Sequence, residues 1–180
     1  MKKSDSVRRT ISKWLWWNGP KEGATGDPTV VDVESFVDSL DGAVVDEGGV
    51  MLHQNDVPVG MMLVSGGLGG LVILSWQWAN GPTWWDNDLV MLVDRSQGDQ
   101  RRANAEGGQT VEQPARWSVS KSLAKKAIRT VMLSNQLDET LEWDFEPAPP
   151  GSRRELTSDE IVALSNEIAR RALASPIEPE

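Results

Sequence analysis

Few side chains in this chain are equipped for chemistry. His53 is the single histidine, beside Gln54 and Asn55 at the end of a β-like stretch. With no second histidine, neither a His pair nor a triad with spare members can be assembled, and a lone His at a strand end reads as a half-exposed structural residue. Cysteine is absent, which removes thiol nucleophiles, disulfides and Cys-based zinc or iron–sulfur sites and fits a reducing cytosol. The glycine run Gly66-Gly67-Leu68-Gly69-Gly70 lacks the Lys-Ser/Thr of a phosphate-binding loop, and Val72 stands where a dinucleotide fingerprint needs its last glycine. These glycines are expected to serve backbone angles in a turn. Carboxylates remain. Asp86 and Asp88 alternate, as do Glu142, Asp144 and Glu146, and residues two apart on a strand share a face. Such rows suit Mg²⁺ or Ca²⁺, or a paired-carboxylate hydrolase, or simply a solvated edge.

Aromatic residues carry the other signal. Leu74 to Asp86 reads LSWQWANGPTWWD, with four tryptophans about an Asn80-Gly81-Pro82 turn. Trp76 and Trp78 share one strand face and, with Trp143, are expected in the core. Trp84 and Trp85 follow the turn. They are expected to be aromatic anchors for a partner, with Asp86, Asp88 and Asp56 around them. The alternative is packing beneath residues 95–115.

Charge is unevenly spread along the 180 residues. The net charge is -9, yet residues 1–21 carry +5 and the remainder -14. Residues 22–94 hold twelve acids and no Lys or Arg. That stretch would repel nucleic acid and speed the capture of a basic protein. No apolar run approaches the roughly 20 residues of a membrane helix. The basic start lacks the apolar stretch of an export signal, so a cytoplasmic location is expected.

The elements that must position these groups can be read from periodicity. Residues 1–26 read as a basic arm bearing Trp14, Trp16 and Trp17, either a short helix docked on the body or a membrane-surface segment. A helix is expected from Asp27 as N-cap and Pro28, burying Val33, Phe36, Val37 and Leu40 and ending at Gly42. Strands are expected at 43–45, 50–53, 59–65, 71–78 and 89–93, with Asp46 to Gly49 as a turn. The last strand is apolar on both faces, so both should be covered. Residues 95–115 read as a long polar loop. A helix follows from about 119 to 133, capped by Ser118 or Ser120, with Lys121, Lys125, Lys126 and Arg129 on its solvated face. A strand at 140–146 should point Leu141, Trp143 and Phe145 one way. A proline-rich linker, 147–156, leads to a last helix and tail, 157–180, opened by a Thr157/Glu160 capping box, with Ile161, Leu164 and Ile168 in its apolar stripe. The fold class is α+β: a single antiparallel sheet of about five or six strands with two main helices packed on it, plus a C-terminal helix.

Residues 116–146, RWSVSKSLAKKAIRTVMLSNQLDETLEWDFE, resemble the C-terminal signature of the Imm1 family of bacterial immunity proteins. The signature is a helix, a short polar turn and a strand with a "veW" element, here Leu141-Glu142-Trp143. The hairpin VGMMLVSGGLGGLVILSW and the opening helix are also similar to the family, so the resemblance spans residues 28–146. Trp84-Trp85, residues 95–115 and both terminal extensions are additional to the family pattern, and Val131-Met132-Leu133 replaces a phenylalanine-bearing helix end. The resemblance implies an immunity protein that binds the C-terminal catalytic domain of a cognate toxin, often a nuclease or nucleic-acid deaminase, and neutralises it. Such a protein is not an enzyme, needs no cofactor or metal and contacts no nucleic acid directly. Two other classes are a peripheral membrane or adaptor protein working through the basic arm, and a metal-dependent hydrolase built on the acid rows.

Overall fold

Strand-forming residues dominate the first two-thirds of the chain. The computed structural model describes residues 11–18, 22–54, 57–78, 89–106, 109–145 and 157–174. Two strands open it, β1 (Ile11–Trp17) and β2 (Gly23–Gly26), followed by helix α1 (Val30–Ser39). A meander then runs through β3 (Glu47–Gln54), β4 (Val57–Gly66), β5 (Leu71–Trp78) and β6 (Val90–Val93). A hairpin of β7 (Arg101–Glu106) and β8 (Gln109–Pro114) precedes the two-residue β9 (Val119–Ser120). Helix α2 (Lys121–Ser134), β10 (Glu142–Phe145) and helix α3 (Ser158–Ala174) complete the order.

The main sheet runs β10-β6-β5-β4-β3-β1-β2, every neighbouring pair antiparallel, with β9 paired to β5. The α+β class and the antiparallel sheet stand, but the sheet has eight strands where five or six were expected. Two extra strands come from residues 1–26. Ile11–Trp17 is not a short helix on an arm; it pairs along its whole length with β3. Aromatic and β-branched side chains favour this pleated setting, and Leu15 is buried in the main core. Residues 95–115 are likewise not one irregular loop, because β7 and β8 form a separate two-stranded sheet within them.

One core lies between the sheet and the helices. Val33, Phe36 and Val37 of α1, Ala124, Ala127, Ile128 and Val131 of α2, and Ile161 and Val162 of α3 join Leu15, Val50, Leu52, Met62, Val64, Leu74, Trp76, Leu92 and Trp143 of the sheet. The pairing slips between Leu52 and His53, so that Val59 is the extra residue of a bulge and also reaches this core. A second cluster covers the other face of β6, where Met91 and Val93 pack with Ile73 and Trp117. That is how a strand apolar on both sides is satisfied. On α3 the stripe differs from expectation: Ile161 and Val162 are buried while Leu164 is 42% exposed. The Ile168 side chain lies outside the described residues.

Local chemistry sets the ends of the elements. The N-cap of α1 is Thr29, with Asp32 completing a capping box, in place of the expected Asp27. Ser120 caps α2, and Thr157 with Glu160 forms the capping box of α3. The glycine run after β4 serves backbone angles, with positive φ at Gly66, Gly67, Gly69 and Gly70. Gly67 has φ +113, and a Cβ there would meet the Leu40 carbonyl and the Asp41 amide nitrogen at the end of α1. Of the residues expected as a turn at 46–49, Glu47, Gly48 and Gly49 enter β3 instead. Gly48 lies beneath Phe36, and a Cβ there would strike the Phe36 ring and the Trp16 carbonyl. Gly48→Ala is therefore expected to destabilise the fold by about 1–3 kcal/mol through overpacking, read as a lower urea midpoint at unchanged slope.

Candidate functional site

The expected grip, Trp84, Trp85, Asp86, Asp88 and Asp56, lies outside the described residues. Of the tryptophans expected in the core, Trp76 and Trp143 are buried there. The Trp78 side chain lies outside the described residues.

The acid row at the end of the chain is part of an ion network. Arg95 Nε lies 2.6 Å from Glu142 and Arg95 also reaches Asp144 at 3.6 Å. Arg116 binds Asp144 at 2.7 Å and Asp99 at 2.6 Å, and its guanidinium lies over the Trp117 ring. The network ties residues 95–117 to β10. Glu142 and Asp144 therefore face arginines, which suits neither a divalent cation nor a basic partner; Glu146 lies outside the described residues. Among the described residues no three His, Cys, Asp or Glu side chains gather as metal ligands. No helix there is long and apolar enough to cross a membrane.

Much of the acidic 22–94 stretch is also engaged internally. Glu34 pairs with Arg129 and Asp38 with Lys125, joining α1 to α2. Lys121 Nζ donates to the carbonyls of Asp38 and Leu40 at the end of α1. The face of α2 read as solvated is thus, at Lys121, Lys125 and Arg129, an interhelical contact. Asp32, Asp41 and Asp94 cap turns. Asp41 accepts from the amides of Ala43, Val44 and Val45 at 2.8–3.1 Å, and those hydrogen bonds hold its pKa below the ordinary 3.8. Hydrogen bonds from the Thr29 hydroxyl and amide do the same for Asp32, and from the Ser96 hydroxyl and amide for Asp94.

A depressed carboxylate pKa stabilises the fold above the unfolded-state value, and that stabilisation is lost as pH falls through the folded value. Thermal stability is expected to be level near neutrality and to fall below about pH 4. Asp41→Asn should lower Tm at pH 7 and converge with the native chain once Asp41 of the native chain is protonated. A constant gap at every pH would refute the cap's ionic role.

The surface with the chemistry of a binding site is the sheet face turned away from the helices, over β1, β3 and β4. Leu15 points into the core, so Trp14 and Trp16 point the other way. Register brings Trp14 opposite Met51, and Met51 opposite Met61. One row over, Trp16 lies opposite Gly49, and Gly49 opposite Leu63. Trp14 is 45% exposed, while Trp16, Met51, His53, Met61 and Leu63 are half-buried. His53 stands edge-on to Trp14, ring centroids 6.4 Å apart. Towards β5 the face closes, and Ser75 and Gln77 are buried.

This platform combines rigid amphipathic rings with adaptable thioethers, the composition of protein-binding surfaces. Sequence reasoning missed it because Trp14 and Trp16 read as part of an arm. The signal that could have found it was strand propensity in Ile11–Trp17. A comparison with known proteins finds no family model, no curated protein and no solved structure that matches the chain.

Proposed function

We propose that this protein works by binding another protein and carries out no reaction of its own, as an immunity protein that occludes the catalytic domain of a cognate bacterial toxin. The observation that carries the reading is the Trp14, Trp16, Met51, Met61 and Leu63 platform, an aromatic and thioether surface on a rigid sheet. An apolar sheet face suits macromolecular contact, whereas small ligands take concave sites. The choice of a toxin rests on the resemblance of residues 28–146 to the Imm1 family.

Acidic steering remains part of the proposal in a narrower form. Asp32, Glu34, Asp38, Asp41 and Asp94 hold internal partners, and the charge offered to a basic toxin is proposed to come from Asp56, Asp86 and Asp88. Trp84 and Trp85 are proposed to extend the aromatic contact.

The test is co-expression of the full chain with the toxin domain encoded beside its gene. The expected result is a co-purifying complex and rescued growth, both lost when Trp14 and Trp16 are replaced by alanine. A toxin that still kills in the presence of the native chain would refute the toxin reading. A complex untouched by the double replacement would refute the platform.

A further inference from the structure

The main sheet ends differently at its two edges. At β10 the Trp143 N–H, which does not enter the ladder, donates to the Ser158 hydroxyl at the start of α3, at 2.8 Å. At β2 the edge is open, since no described strand pairs with its outer side. The register fixes which backbone groups face outward there. The Asp27 N–H donates to the Lys13 carbonyl at 2.7 Å, and hydrogen-bonded pairs alternate along an antiparallel ladder. Thr25 and Gly23 therefore turn their backbone groups to Leu15 and Trp17 of β1. The N–H and C=O of Ala24 and Gly26 point outward, and both residues are exposed. The strand reads Gly-Ala-Thr-Gly, with no lysine, proline or bulky side chain to turn a neighbouring strand away.

Two features define the neighbour that this edge suits. The Trp14 ring lies over Gly26, its nearest atoms 3.4 Å from where a Cβ would stand, so the platform reaches the edge and Gly26 puts no side chain in between. Glu22 and Asp27 bracket the strand, both are exposed, and residues 22–27 hold no Lys or Arg. Lys13 lies across from Asp27 and forms no ion pair with it among the described residues; Lys21 lies outside them. A second copy paired through the same edge would gather the acids of both chains along one short ladder, where like charges repel. A basic strand meets opposite charges instead. We propose that the outer edge of β2 takes an extended basic strand of another protein, paired antiparallel through Ala24 and Gly26, with an apolar side chain beside Trp14 and basic residues opposite Asp27 and Glu22. The inference rests on the protein-binding reading for its class of partner, and names the part of that partner that is held.

The test is an amide-resolved NMR titration of the full chain with the peptide acetyl-Lys-Val-Thr-Val-Thr-Lys-amide. In the antiparallel register its first valine falls opposite Gly26 and its lysines opposite Asp27 and Glu22. Its valine N–H groups then face β2 and its threonine N–H groups face solvent. Saturable shifts of the Ala24 and Gly26 amides are expected. N-methylation of both valines should weaken binding at least about tenfold, while N-methylation of both threonines should change it less than about twofold. Glutamate in place of both lysines should also cost at least about tenfold. Ala24→Pro removes an outward donor, which an edge strand tolerates, and should cost as much. Glu22→Gln combined with Asp27→Asn leaves the backbone donors in place and should weaken binding several-fold. Absence of saturable shifts at Ala24 and Gly26, or equal losses from methylating either pair, would overturn the proposal. Shifts at these amides that follow the concentration of the chain alone would assign the edge to a second copy and overturn it too. No toxin enters the titration, so a failed titration beside a toxin complex that still forms would remove the edge and leave the protein-binding reading standing.

Discussion

Trp143→Ala is expected to lose about 3–5 kcal/mol of folding stability, a large fraction of the roughly 5–15 kcal/mol that holds a domain together. The ring is fully buried, at 0% exposure. Its Nε1–H donates to the Asp138 carbonyl at 3.1 Å, and its backbone N–H donates to the Ser158 hydroxyl at 2.8 Å. The side chain thus joins the turn before β10 to the core, and the backbone of the same residue joins β10 to the start of α3. Alanine removes the ring, leaves a cavity and orphans the carbonyl. Trp143→Phe keeps most of the volume and should cost less. Urea unfolding checks both, and a loss below about 1 kcal/mol for the alanine variant would mean that the site collapses without penalty.

Trp14→Ala is expected to do the reverse, weakening partner binding by about 2 kcal/mol or more, roughly thirtyfold, with little loss of stability. Trp14 is on the open face and 45% exposed, so truncation removes less buried area than at the fully buried Trp143. In a complex the same ring would be desolvated on the platform, as an anchor that dominates the energy. Trp17 is the internal control. Three residues along the same strand it has the opposite parity and packs against the main core. Trp17→Ala should therefore lower stability and leave the intrinsic affinity of the folded fraction unchanged. Calorimetric titration separates the outcomes. Equal effects of Trp14 and Trp17 on affinity would show that general loosening, and not the platform, governs binding.

Some elements were legible because their signals are local. The stripe of Ala124, Ala127, Ile128, Val131 and Met132 marks α2, and the Thr157/Glu160 capping box marks the start of α3. The β4–β5 hairpin shows as two apolar runs about a glycine loop. Other elements gave no such signal. Ile11–Trp17 is apolar at both parities, because one side meets the core and the other is the platform, and a pattern with no polar face has no readable period. Gly23–Gly26 has strand geometry only because β1 pairs with it. Glu47 to Gly49 carries turn composition, and its glycines instead admit Phe36 and the β4 backbone at close range.

The amino-acid sequence alone determined the α+β class, the capping box of α3, most of the buried apolar residues and the lack of thiol or histidine-pair chemistry, since each depends on residue types or on residues within a few positions of one another. The tertiary structure decided where a partner can be held. Trp14 meets Met51, and Met51 meets Met61, only through strand register, and the carboxylates of α1 lose their freedom only because α2 lies across them. Pairing between segments tens of residues apart is set by the packing energy of the whole chain, which no local pattern encodes.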